Sequence, residues 1–194
     1  MTAVTLQGLE TALLSRLEAA KGPTSFRVVT AYQGRFAEIL KGRGADGPAA
    51  WLHLQQATER RHAAPGVFAA DLEFHVFVAV WNHRGQDEAR RGVSVNEPGA
   101  MGLMQRVRAL LVDQDLGLEM QPIEPTGWKS VMEPGEDWPA TLALYDLGFR
   151  CRYTYTRPET DEEAAASIHD TSTLALDSDG DETPEVQGQV EHTP

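Results

Sequence analysis

The sequence predicts an α+β domain: a mostly antiparallel or mixed β-sheet with two helices packed on one face, followed by an acidic C-terminal extension. Three observations point there. Two stretches carry apolar residues at three- and four-residue steps, the mark of amphipathic helices. Several others alternate apolar and polar with period two, the mark of half-buried strands. The two kinds do not alternate regularly along the chain, as a parallel βαβ fold would require.

In chain order, residues 3–20 read as the first helix, with Leu6, Leu9, Leu13 and Leu17 on one stripe and Gly22-Pro23 ending it. Phe26–Tyr32 is β-branched and aromatic and reads as a strand. Residues 36–40 are too short to assign, and 42–48 (GRGADGP) form a loop. Trp51–Leu54 resumes as a strand, and the polar run 57–66 reads as a mobile hairpin or connection. Asp71–Trp81 is a long strand. Leu72, Phe74, Val76, Val78 and Val80 form its core face, with the mixed set Glu73, His75, Phe77, Ala79 and Trp81 opposite. Asn82–Gly99 reads as a projecting connection rich in Arg, Asp and Glu. The second helix follows over 100–112, with Leu103, Val107, Leu110 and Leu111 as its stripe. Short strands are expected at 119–124 and 128–133. Residues 141–156 alternate most cleanly, placing Ala143, Tyr145, Leu147, Phe149, Cys151, Tyr153 and Tyr155 on one face. Arg150 and Arg152, on the other face, are expected across from Glu73.

At 194 residues the chain can bury a core without metal or disulfide. It has one cysteine, Cys151, which excludes an intramolecular disulfide and fits folding in a host cytoplasm. The opening residues lack the basic flank of a signal peptide, and no apolar run approaches the ~20 residues of a membrane span. Net charge is −12, but residues 157–194 hold eleven acids against the single base Arg157, leaving −2 for residues 1–156. The expected division is therefore 1–156 as the domain and 157–194 as the acidic extension. Broad phosphate binding is disfavoured by this balance.

Sites of chemistry are sparse. Asp177-Ser178-Asp179-Gly180-Asp181-Glu182 imitates the start of a calcium loop, but Glu182 stands at position 6, where the EF-hand needs Gly, and Gly188 at position 12, where it needs Glu. A solvated acidic tail is the better reading. The six histidines show no metal-ligand spacing, so no metal and no cofactor are expected. There is no G-x-S-x-G, P-loop or dinucleotide fingerprint. Cys151 reads as a small buried hydrophobe. Besides Arg60-Arg61-His62, the one basic cluster is His83, Arg84, Arg90 and Arg91. It fits a polyanion contact, a solvated surface or, best, arginines at a subunit contact. Arg150 and Arg152 join it as candidate contact residues. So do Leu174 and Leu176, the apolar anchor of the extension.

The second half carries a longer signal. The phrases FHVFVAVWN, HRGQDEARRG, GLMQRVRALLVDQDLGL, MQPIEP and LALYDLGFRCRY, in that order, resemble the phage Mu-like family of tail-completion proteins. The most telling is R-x-L-L-x-x-Q-D-L-G-L, here Arg108 to Leu118. The resemblance covers roughly residues 4–156 and implies a tail terminator with no active site. Such a protein forms a ring, normally a homohexamer, on the head-proximal end of the tail tube of a long-tailed, contractile phage. It ends tube polymerisation and joins the tail to the neck. Its implied partners are copies of itself, the tail tube protein, the tail sheath protein and the neck or head–tail connector proteins. Genomic DNA would pass through the lumen without specific binding, and no membrane is involved. Another neck component, such as a stopper or adaptor, is the alternative. A small metal-dependent hydrolase is the reading from a different class.

Overall fold

The computed structural model describes residues 4–32, 34, 47–61, 67–131 and 139–156. The chain order is α1 (Leu6–Glu18), β1 (Val28–Ala31), β2 (Ala49–Arg61), β3 (Val67–Trp81), α2 (Gln86–Arg91), β4 (Gly92–Ser94), β5 (Glu97–Pro98), α3 (Ala100–Leu111), β6 (Glu124–Ser130) and β7 (Leu142–Thr156). Five strands form one mixed sheet in the order β1-β2-β3-β7-β6, and β4-β5 form a separate ribbon. β1 runs parallel to β2, while β2-β3 and β6-β7 are antiparallel. Between β3 and β7 the ring contacts Phe68–Tyr155 and Phe74–Phe149 and the bond from Asn82 N to Thr141 O step in opposite directions along the chain, so this pair is antiparallel too.

Two of the described helices cover one sheet face, as the sequence predicts. Leu9, Leu13 and Leu17 of α1 and Leu103, Met104, Val107 and Leu111 of α3 are buried with Leu72, Phe74, Val76, Val78 and Val80 of β3. Ala143, Tyr145, Leu147, Phe149, Cys151 and Tyr153 of β7 complete that core. Each fully buried Leu or Phe contributes about 1.5–3 kcal/mol relative to exposure. α1 starts at Thr5, whose hydroxyl accepts from the Gly8 amide at 3.0 Å. Arg16 of α1 donates to the Leu110 carbonyl (3.1 Å) and to Gln114 Oε1 (2.9 Å), so the C-terminal ends of α1 and α3 lie together.

The differences from the sequence reading have local causes. Leu6 is 47% exposed, while Leu9, Leu13 and Leu17 carry the buried stripe of α1. The polar run after Leu54 continues as strand through Arg61, paired residue for residue with β3 beyond one irregularity at Leu54/Gln56. Cross-strand hydrogen bonds there replace the missing apolar alternation. Residues 62–66 lie outside the described residues. The stretch 119–124 gives an isolated bridge, Met120 with Tyr153, and the strand proper starts at Glu124. The connection 82–99 folds as α2 plus the β4-β5 ribbon. Ala89, fully buried, is the apolar anchor that a scan for long periodicity passes over.

The other face is not uniformly half covered. At the β3 C-terminal end it holds a second buried cluster of Ala49, Trp51, Phe77, Ala79, Leu142 and Leu144. Toward the other end of the long strands it turns polar.

Candidate assembly surfaces

Two surfaces hold the arginines singled out by sequence. The first is the end of the domain where β3 runs into α2. Acids in the first turn of α2 (Asp87, Glu88) and bases in its last turn (Arg90, Arg91) match the helix dipole. Arg90 Nη2 donates to Asp87 Oδ1 at 2.9 Å, and Arg91 Nε lies 4.0 Å from the same oxygen. The bond from Arg90, then the charge of Arg91, hold the Asp87 carboxyl below its usual range. Asp87 in turn raises the Arg90 guanidinium, which also touches Tyr145. Arg84 Nη1 meets Glu97 Oε2 at 3.0 Å and ties the start of the connection to β5. His83 is exposed.

Beyond these pairs the ribbon projects. Val95 is 93% exposed and Val93 is 45% exposed. Met101 and Leu6, also exposed, stand in the first turns of α3 and α1. The ribbon's base is tight: a Cβ on Gly99 would fall onto the backbone nitrogen of Gly92 and the carbonyl carbon of Arg91. Both glycines are therefore required by the close backbone approach.

The second surface is the polar part of the outer sheet face. Arg152 Nε and Nη2 donate to the two oxygens of Asp71 at 2.5 and 3.1 Å, and Arg60 Nε reaches the same carboxylate at 2.8 Å. Hydrogen bonding from Arg152 is the main cause that lowers the Asp71 pKa below its ordinary value. Arg150 donates twice to Glu124 Oε2, at 2.8 and 2.6 Å. Glu73, the partner expected for both arginines, shares their face but accepts from Gln56 at 2.7 Å instead. The reason is reach: Glu124 on β6 is the register partner of Arg150, and Asp71 is short enough to take Arg152 side-on. These groups line a shallow depression of about 420 Å³. On the opposite, helix-covered face Tyr155 donates to Glu59 Oε1 at 2.8 Å, and burial followed by Glu59 pushes the tyrosine hydroxyl up to about 12.

Further along the face, Asp146 is 5% exposed. Its Oδ1 lies 2.5 Å from His75 Nδ1 on β3 and its Oδ2 lies 3.7 Å from Lys129 Nζ on β6, so one carboxylate ties three adjacent strands. All seven residues of the edge strand β6 are exposed. Trp128, 54% exposed, stands edge-on to Tyr145 at 5.8 Å. Sequence reasoning missed Val93, Val95, Trp128 and Asp146. Trp128 next to Lys129 in a strand bounded by turns was a usable signal for the edge, while the other three depend on the fold. Leu174 and Leu176 lie outside the described residues.

Neither surface resembles a reaction centre. Burial pushes the Cys151 thiol up to about 12, which leaves it protonated and unreactive at neutral pH. Among the described residues no group of three or more His, Cys, Asp and Glu side chains could hold a metal ion, and no helix is long and apolar enough to cross a membrane.

No curated protein matches the chain. A solved structure described as "Virion of native gene transfer agent (GTA) particle" is similar at 18% identity and a TM-score of 0.44, over 74% of this chain and 92% of that chain. The family described as "Bacteriophage Mu, Gp37" matches residues 5–154. With most of its length matched, the chain belongs to the bacteriophage Mu Gp37 family.

Proposed function

We propose that this protein is a tail terminator. Copies of the 1–156 domain form a ring, a hexamer, on the head-proximal end of the tail tube, stop its polymerisation and present a surface to the neck and, in a contractile tail, to the last sheath ring. The reading supports a non-enzymatic role. The observation that carries it is the contrast between the two surfaces. One saturates its charges internally, while the other projects exposed valines beside half-exposed arginines, as a surface built to be covered does. A ring needs heterologous contacts, in which unlike patches of successive copies meet and the rotation closes. Net neutrality of the domain suits a lumen through which DNA slides without being held.

The test is to mix purified protein with tail tubes and locate it by electron microscopy. The expected result is density at one tube end only, with an assembled mass near six times the 21.3 kDa chain. Density on the portal side of a neck complex, with bare tube ends, would replace this reading with a stopper or adaptor.

A further inference from the structure

Several of the described arginines are held within the fold. Arg16, Arg60, Arg84, Arg90, Arg150 and Arg152 each donate to an acceptor within the fold. Arg106 and Arg108 of α3 do not: both are exposed, and no hydrogen bond or ion pair among the described residues holds either one. α3 contains no acidic residue in its twelve positions. The two guanidinium groups flank buried Val107, so they border the outward strip of Gly102, Gln105 and Ala109 from its two sides. At the N-terminal end of the helix stands exposed Met101. The result is an exposed strip of helix flanked on either side by an arginine, with an apolar end.

We infer that this face of α3 binds the acidic segment 157–194 of a neighbouring copy. The assignment rests on the ring reading above and names a contact within it. Charge complementarity chooses the occupant. The segment carries eleven acids against one base, whereas residues 1–156 are almost neutral. Length allows it: the described fold stops at Thr156 and 38 residues follow, which extended span more than 100 Å at about 3.3 Å per residue. Chemistry fits along the segment as well. The acidic run Asp177–Glu182 follows directly on Leu174-Ala175-Leu176, so one stretch offers carboxylates to Arg106 and Arg108 and an apolar triplet to Met101. Guanidinium suits this use because it forks onto carboxylates. The contact links successive copies through charge that salt screens.

The experiment uses full-length protein assembled on tail tubes. The R106K/R108K variant keeps both charges and adds amines that a carbodiimide can join to carboxylates. An equal mixture of nitrogen-15-labelled and unlabelled protein is cross-linked and read by mass spectrometry. Peptides joining position 106 or 108 to acids of 157–194 are expected, with mixed isotopes in about half of them and yield falling severalfold in 0.5 M NaCl. A second full-length variant, D177N/D179N/D181N/E182Q, should lower that yield by about tenfold while the circular dichroism spectrum stays unchanged. Links only within one isotope, links to other acids, or none on tubes that still carry the ring would overturn this inference and leave the ring reading standing. Absence of any assembly at tube ends would sink both.

Discussion

The two arginine-bearing surfaces contain the same chemistry and put it to opposite uses. On the outer sheet face, Arg60, Arg150 and Arg152 meet Asp71 and Glu124 at 2.5–3.1 Å, partners that stand on the neighbouring strands β3 and β6. Cross-strand geometry sets these groups opposite one another, so the charges are consumed in holding strands together. At the α2 end the pairs are local. Arg90 and Arg91 share Asp87 three and four positions away, and Arg84 reaches Glu97 across the ribbon. Those pairs are solvated and individually weak. Beside them stand Val93 and Val95, which gain nothing from water. On the tail-terminator reading the first surface is a wall and the second, with its apolar groups outside, is a contact between copies.

The largest effect should come from breaking the ribbon that presents those valines. Gly99→Ala places a methyl on the Gly92 and Arg91 backbone, which cannot yield as a side chain would. Loss of about 1–3 kcal/mol in urea unfolding is expected, together with loss of binding at tube ends. Unchanged assembly would show that the ribbon is no contact. Next comes the pair Val93→Asp and Val95→Asp. Both positions are exposed, so stability should stay within about 0.5 kcal/mol while tube-end binding falls at least about tenfold. Charge reversal at Arg90 and Arg91 should also weaken assembly, but less, since Arg90 is partly spent on Asp87. Equal losses from the valine and arginine variants would mean that charge, not burial, drives the contact.

How much of this was legible beforehand follows from the physics of each element. The alternation of Ala143 to Tyr155 and of Leu72 to Val80 gave the central strands and their core face, because burying one face of a sheet forces period two. Leu9, Leu13, Leu17, Leu103 and Val107 gave the helices in the same way. The extension of β2 through Arg61 was not legible, since its side chains are polar on both faces and its strand character comes from backbone pairing with β3. α2 was not legible because one buried alanine anchors six residues. Arg150 and Arg152 were placed on the correct face, yet their partners depended on which strand became their neighbour. Composition could not say that β6 flanks β7 and brings Glu124. The exposure of Val95 was invisible for the same reason, as a valine in a short polar run reads equally as core or tip.

The smallest expected effect tests the wall. Asp71 has its folded pKa lowered beneath the ordinary 3.8, chiefly by Arg152, so ionised Asp71 stabilises the fold. The sign follows from linkage. The contribution is fully present above the unfolded-state value and is lost as pH falls through the lower folded value, an acid window below about pH 4. Solvent screening keeps it under about 1 kcal/mol, since Asp71 lies on the outer face. Asp71→Asn removes the charge at all pH values. The variant should therefore be slightly less stable than the parent at pH 7 in urea, and the difference should shrink toward pH 3. Its tube-end binding should be unchanged, because the freed Arg152 and Arg60 lie on the surface that other copies do not need. If Asp71→Asn instead abolishes assembly at neutral pH while the fold survives, the outer face is itself a contact and the division into wall and contact fails.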